Sequence, residues 1–278
     1  MPYCYRHPDR ETGLACSECG RPICTECMTV APVGLRCPDH SGRPQGVARM
    51  RSSVRRASYS GTGAIVTKLL IGLNVAVYLA ELGQGGNVNG IGSSIFDDGY
   101  LRAHEVASGD WWRLLTAAFL HYGPFHLGLN MLALWWFGAP LEEALGRGRY
   151  LLLYLVSGLA GSAGALLLSP NVATVGASGA IFGILGAALV LERQGTPVFG
   201  GALTLIVINL VFTFSVGNIS VGGHLGGLAG GILGTLALSR FGRGHAVYGR
   251  VGLLGVAGLV LIGAASILVS YLKVRGYA

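Results

Sequence analysis

Seven stretches of this 278-residue chain are apolar enough, and near enough to 20 residues long, to cross a lipid bilayer. They fall at about Ala64 to Leu82, Leu114 to Phe137, Tyr150 to Leu168, Ser178 to Leu191, Gly200 to Val216, Val221 to Leu238 and Val251 to Leu272. The fourth is short for a full crossing. With 51% hydrophobic residues, 12% charged residues and 46 glycines, the chain is too apolar and too glycine-rich for an ordinary soluble domain. Glycine suits membrane helices, because small residues let backbones approach closely where lipid supplies no hydrophobic drive. The predicted fold class is therefore all-α, a polytopic membrane helix bundle.

Charge orients the bundle. The turns after the second, fourth and sixth windows carry Arg147 and Arg149, Arg193, and Arg240, Arg243 and Arg250, while "SPNVATVG" and "SVGNIS" after the third and fifth carry no charge. Positive residues stay on the cytoplasmic side, so the N-terminus is predicted to be cytoplasmic. The loop from about Gly83 to Asp110 then lies outside and is long enough to be functional. Seven crossings put the C-terminus outside, although Lys273 and Arg275 pull the other way. Arginine far outnumbers lysine, present only as Lys68 and Lys273, which fits a GC-rich bacterial genome, and the expected location is a bacterial plasma membrane. The net charge of +7 is explained by orientation, and no nucleic-acid motif accompanies it.

All six cysteines lie between Cys4 and Cys37, in a polar head that does not read as a signal peptide. They form four short pairs with two histidines: Cys4 with His7, Cys16 with Cys19, Cys24 with Cys27, and Cys37 with His40. Two intervening residues let both ligands of a pair reach one tetrahedral ion, and eight such ligands fill two closed structural zinc sites. A disulfide cluster would need an oxidising compartment and leaves the histidines unexplained. The order resembles a B-box-like zinc finger, which implies interleaved sites, one of Cys4, His7, Cys24 and Cys27 and one of Cys16, Cys19, Cys37 and His40. Sequential pairing would use the same eight residues. Such modules bind proteins or act as caps, so a cytoplasmic protein partner is expected. The domain plan is a head at 1–42, a basic juxtamembrane linker at 43–63 (Arg43, Arg49, Arg51, Arg55, Arg56) that can touch anionic lipid, six spans at 64–240, and an added helix at 250–273.

Ser178 opens the fourth window, in "GASGAIFG". Alone it is either packing glue or a nucleophile. The topology brings other polar groups to the same outer depth: His224 in "SVGGHLGGLAGG" on the sixth window, and His126 and Asn130, four apart on one face of the second. Ionisable residues inside a membrane are expensive and usually mark function. Serine and histidine supply a nucleophile and its base, while a second histidine and an asparagine can donate to an oxyanion. As Ser178 opens a helix, its own N–H and the helix dipole favour negative charge at the same place. After Glu143 the only carboxylate is Glu192, at the cytoplasmic end of the fourth window, so a dyad is expected rather than a triad. Small-residue ridges at Gly179, Gly183 and Ala187 and at Gly223, Gly227 and Gly231 would permit the close crossing. Phe182, one turn after Ser178, can either stack on His224 or serve as an ordinary core aromatic.

These residues resemble the rhomboid family of intramembrane serine proteases over about Ala64 to Leu238. The motifs are "GASG" with Ser178, "GHLGG" with His224, His126 to Asn130 after "FLH" (His121), "WWR" at Trp111 to Arg113, and "GAPLEEALG" with Glu142 as the helix-end glutamate. The resemblance implies a six-helix core, a catalytic Ser178–His224 dyad, and an oxyanion site from the Ser178 N–H with His126 and Asn130. It also implies transmembrane protein substrates cut at a small residue. Phe182 replaces a frequent tyrosine, and the head and seventh window are additions. Two other readings remain: a catalytically silent membrane scaffold whose head recruits a partner, and a channel, for which the span interiors offer few charges.

Overall fold

The computed structural model describes residues 2–31, 34–41, 63–196, 198–217, 219–241 and 253–277. Apart from Gly63, the basic linker at 43–63 lies outside the described residues, as do Arg243, His245 and Arg250. The chain divides into two compact units, Met1–Gly61 and Thr62–Ala278.

The first unit holds two antiparallel hairpins. β1 (Tyr3–Cys4) pairs with β2 (His7–Glu11), and β3 (Thr29–Val30) pairs with β4 (Leu35–Arg36). Its buried cluster is Ile23 with five of the six cysteines, Cys4, Cys16, Cys24, Cys27 and Cys37. So small an apolar core cannot hold a fold of this size by hydrophobic burial alone.

The second unit is helical. α1 (Ile65–Gly83) leads into a loop carrying three short helices, α2 (Ser94–Asp97), α3 (Ala103–Ala107) and α4 (Arg113–Thr116). α5 (Gly123–Ala133) runs through a π-helical turn at Leu134–Gly138 into α6 (Ala139–Leu145). Then come α7 (Arg147–Leu168), α8 (Ser178–Arg193), α9 (Ala202–Ser215), α10 (Val221–Phe241) and α11 (Leu253–Val274). Four of these, α1, α7, α10 and α11, are long and apolar enough to cross a membrane, and α9 is a shorter apolar helix.

The second apolar window does not form one helix from Leu114. The chain turns through α4 and a 3-10 segment, is extended at Leu120, and starts α5 at Gly123 with φ +80°. A Cβ there would be strained, and Pro124 in the first turn costs the helix no hydrogen bond.

α8 is the centre of the bundle, with every residue from Ala180 to Ala188 buried. Sixteen residues make a helix about 24 Å long against about 30 Å of hydrocarbon, so its ends fall inside the slab. The glycine ridges explain how neighbours come so close. A Cβ on Gly227 would run into the carbonyl oxygen of Gly179, and one on Gly231 into that of Gly183. On α7, a Cβ on Gly161 would sit 3.0 Å from the Gly223 carbonyl oxygen and 3.3 Å from the Gly179 Cα. Three helices thus touch backbone to backbone beside Ser178.

Two polar devices tie the periphery of the bundle. The buried Glu142 carboxylate accepts from the N–H groups of Val66 (3.0 Å) and Thr67 (2.8 Å) and from the Thr67 hydroxyl (2.8 Å), capping the first turn of α1. In the loop that follows α1, buried Arg113 pairs with Asp110 (2.9 Å) and donates to the carbonyls of Asp97 (2.8 Å) and Tyr100 (3.0 Å). The Trp111 ring lies 6.0 Å from that of Tyr271, and His104 Nδ1 lies 3.3 Å from the Tyr277 carbonyl oxygen. The C-terminal end of α11 therefore packs beside the loop that follows α1.

Candidate active site

Ser178 is the first residue of α8 and His224 lies in the first turn of α10. Their side chains meet, with Ser178 Oγ 2.8 Å from His224 Nε2. Phe182 lies one turn along α8, and its ring stacks on the imidazole, centroids 4.1 Å apart and planes 18° from parallel. The opposite nitrogen, His224 Nδ1, is 2.7 Å from Thr213 Oγ1 on α9. Thr213 was not singled out in the sequence. Its signal was there: Asn209 and Thr213 stand four apart on one face of a largely apolar helix, the same spacing as His126 and Asn130.

The other two predicted residues come from α5. His126 Nδ1 accepts from the Tyr122 N–H at 3.3 Å, so its proton sits on Nε2. That nitrogen lies over Gly176, where a Cβ would be 2.9 Å from it and 3.8 Å from Ser178 Oγ. Gly176 has φ +124°, so this position requires glycine for its backbone as well as for room. Asn130, which lines the cavity, donates from Nδ2 to the His126 carbonyl at 3.0 Å and carries a second N–H on the same nitrogen. Buried His121 packs edge-on against the His126 ring, centroids 5.1 Å apart. Ser178, His224, His126, Asn130, Asn209 and Thr213 all line one cavity of about 960 Å³. Glu192, at the other end of α8, accepts from the Ala202 N–H at 3.0 Å and plays no part here.

A rhomboid domain profile matches residues 108–241, the segment that supplies all of these groups and every residue of the cavity wall except Asn89, Ile91 and Leu101. The rhomboid protease GluP of Bacillus subtilis is 40% identical over 177 residues, 62% of this chain and 34% of that protein. The rhomboid relative YdcA of the same strain is 39% identical over 134 residues, 46% of this chain and 67% of its own. This chain belongs to the rhomboid family. It spans about a third of GluP's length. Another relative, named Inactive RHOMBOID-like protein 8 from Arabidopsis thaliana, is 31% identical over 119 residues, 43% of this chain and 32% of that protein. With its four spanning-length helices, this rhomboid is an integral membrane protein of the helical-bundle class.

The head of this rhomboid lies outside the domain match and gathers its ligands into two groups. Cys4, His7, Cys24 and Cys27 form one, and Cys16, Cys19, Cys37 and His40 the other, the ligand atoms of each lying within 4.8 Å of one another. The grouping is interleaved. Around a tetrahedral zinc, bond lengths of about 2.3 Å to sulfur and about 2.0 Å to nitrogen put S···S at about 3.8 Å and S···N at about 3.5 Å. The observed separations are 3.4 to 3.8 Å from His7 Nδ1 to its three sulfurs, 3.8 Å between Cys19 and Cys37, and 3.2 and 3.9 Å from His40 Nδ1 to Cys37 and Cys16. The donor set fits a metal ion. Four of the six thiols, those of Cys4, Cys16, Cys24 and Cys37, are held below their ordinary value, while burial pushes the Cys27 thiol up to about 11. Burial raises the Cys4 thiol, but the backbone donors of Arg6 and Cys24 and the His7 ring outweigh it and bring the thiol down to about 6. Cys16 likewise comes down to about 6, burial being outweighed by the backbone donors of Cys37, Cys19 and Glu18. The thiolate is the form that ligates.

Proposed function

We propose that this rhomboid is an intramembrane serine endopeptidase, hydrolysing peptide bonds in or near the transmembrane segments of other membrane proteins through a Ser178–His224 dyad. The observation that carries the reading is the 2.8 Å approach of Ser178 Oγ to His224 Nε2 at the wall of a 960 Å³ cavity. His224 takes the Ser178 proton as the hydroxyl oxygen attacks the peptide carbonyl, and returns it to the leaving amine. The developing oxyanion is held by the Ser178 N–H, by His126 Nε2–H and by the Asn130 amide. Water, activated by the same imidazole, then releases the acyl-enzyme. The helix start at Ser178 adds its dipole to the same charge.

The head, proposed as residues 1–42, holds two structural zinc ions on Cys4, His7, Cys24 and Cys27 and on Cys16, Cys19, Cys37 and His40. Each set supplies four protein ligands and leaves no open position, so the ions fold the head and the chemistry belongs to the dyad. The linker at 43–63, the protease core at 64–240 and the added helix at 250–273 complete the plan, in a bacterial plasma membrane with the N-terminus cytoplasmic and the head available to a cytoplasmic protein partner.

A silent scaffold is the second reading, favoured by the relative whose name calls it inactive. One experiment separates them. The chain is reconstituted with a generic single-span substrate, and cleavage and labelling by a fluorophosphonate are compared between wild type and Ser178→Ala. The protease reading expects both to vanish in the variant. Equal labelling of the two proteins, or a wild type that cuts nothing, defeats it.

A further inference from the structure

We propose that Thr213 is a positioning residue of the dyad, fixing the tautomer of His224. The inference rests on the protease reading and adds a third member to it. His224 is buried and its imidazole is held at three points: Ser178 Oγ at Nε2 (2.8 Å), Thr213 Oγ1 at Nδ1 (2.7 Å) and the Phe182 ring against one face. A neutral imidazole carries one proton, and the position of that proton decides whether Nε2 can act as a base. Serine can give its proton to Nε2 only if that nitrogen has a free lone pair.

Thr213 makes the choice through a second contact. Its Oγ1 lies 2.7 Å from the Asn209 carbonyl oxygen, one turn back on α9. A carbonyl can only accept, so the single hydroxyl proton of Thr213 is committed to it. What Thr213 then offers His224 is a lone pair, and Nδ1 must be the nitrogen that carries hydrogen. The alternative fails at both ends. With the proton on Nε2, Thr213 would have to donate to Nδ1. Its oxygen and the Asn209 carbonyl would then face each other at 2.7 Å with no hydrogen between them, and Nε2–H would point at Ser178. The chain Asn209 C=O, Thr213 O–H, His224 Nδ1–H and Nε2, Ser178 O–H therefore runs in one direction. When His224 becomes an imidazolium, Nδ1–H already has an acceptor in place.

This is the service that an aspartate performs in a triad, supplied here by an uncharged group. A full carboxylate beside the imidazole would be costly at membrane depth. A threonine whose proton is parked on its own helix costs little. Thr213 is 2% exposed on a helix whose other faces are largely exposed apolar side chains, so the hydroxyl is kept inward against the general run of α9.

The test compares Thr213→Val, which keeps the shape and removes the acceptor, with Thr213→Ser, which keeps the hydroxyl. Two readouts are taken on the full chain in nanodiscs. In the first, cleavage of a single-span substrate is followed as a function of pH. Thr213→Val is expected to lower kcat by at least about 10-fold with KM changed less than about twofold, and to move the acid limb to lower pH, while Thr213→Ser stays within about threefold of wild type. The second readout is independent of turnover: the ¹⁵N shifts of His224, assigned by difference from His224→Ala, report which nitrogen carries the proton. Wild type and Thr213→Ser should be Nδ1–H, and Thr213→Val a mixture. An Nε2–H wild type overturns the proposal, as does a Thr213→Val protein with wild-type kcat and an unshifted acid limb, or a Thr213→Ser protein as impaired as Thr213→Val. Should the wild type cut nothing while its His224 is Nδ1–H, the protease reading fails and the tautomer assignment stands.

Discussion

Phe182 lies flat against His224, with ring planes 18° from parallel and centroids 4.1 Å apart, and no other aromatic ring is stacked on that imidazole among the described residues. Phe182 is one turn beyond Ser178, so the helix that presents the serine also braces the imidazole bonded to it. Phe182→Leu keeps most of the volume and loses the flat face. It should lower kcat by about 10-fold through a misplaced imidazole while leaving thermal stability close to wild type. Phe182→Tyr, with the same face, should keep kcat within about threefold. Steady-state cleavage and a thermal melt of each variant check both statements, and wild-type kcat in Phe182→Leu would show the stack to be idle.

His126 and Asn130 line the same cavity as Ser178 and are the side chains proposed to donate to the oxyanion. Removal of either, as His126→Ala or Asn130→Ala, should cost on the order of 10² in kcat, with KM little changed, because the interaction strengthens only as the oxyanion forms. Single-turnover cleavage by saturating enzyme measures this directly. A variant that lost affinity and kept kcat would place the residue in substrate binding instead.

Ser178, His224, His126 and Asn130 were legible in the sequence because membrane depth is a one-dimensional coordinate. Once the arginine pattern orients the windows, four polar residues fall at one level, and glycine spacing allows their helices to touch. The helix at Ser178–Arg193 was legible for the same reason. What the sequence hid was lateral. The window from Leu114 reads as continuous apolar chain, yet the helix begins only at Gly123, since hydropathy does not register a left-handed φ. Thr213 was passed over because a hydroxyl in an apolar window is normally content with its own helix carbonyl. Its partner is 11 residues on, in the next helix, and only the packing of α9 against α10 reveals it. Glu142 had only its resemblance to go on. Its capping of α1 spans 75 residues and leaves no local trace.

The head should carry two zinc ions per chain, and its interleaved grouping makes a prediction that sequential pairing does not. Cys4 and Cys27 belong to one group, so a Cys4→Ser/Cys27→Ser double variant should keep one ion. Sequential pairing would lose both. Acid should release the metal, because protons compete for the thiolates. The sign follows from the depressed thiols: Cys4 and Cys16 fall from 9.0 to about 6, so the stability they contribute is complete above pH 9 and lost as the pH falls through about 6. Metal analysis across pH 8 to 5, with protease sensitivity of the head alongside, checks this. A purified chain without zinc, whose head resists protease equally with and without chelator, would remove the metal from the account.

Gly227 offers the most direct test of why this chain is so rich in glycine. A Cβ there would collide with the Gly179 carbonyl oxygen, on the residue next to Ser178, and neither backbone can yield without separating α8 from α10. Since His224 rides on α10 one turn earlier, that separation pulls the imidazole from the hydroxyl, and a hydrogen bond lost by 1 Å is a base lost. Gly227→Ala should therefore lower cleavage by about 10² or more and lower the melting temperature as well. Gly72→Ala on α1 is the matched control. A Cβ there meets nothing within 4 Å, and alanine is the better helix former, so activity should be retained. Measured side by side, the two substitutions separate a general intolerance of side chains on membrane helices from a specific need for backbone contact beside the dyad. Equal activity in both variants would mean that the helices can part without disturbing Ser178 and His224.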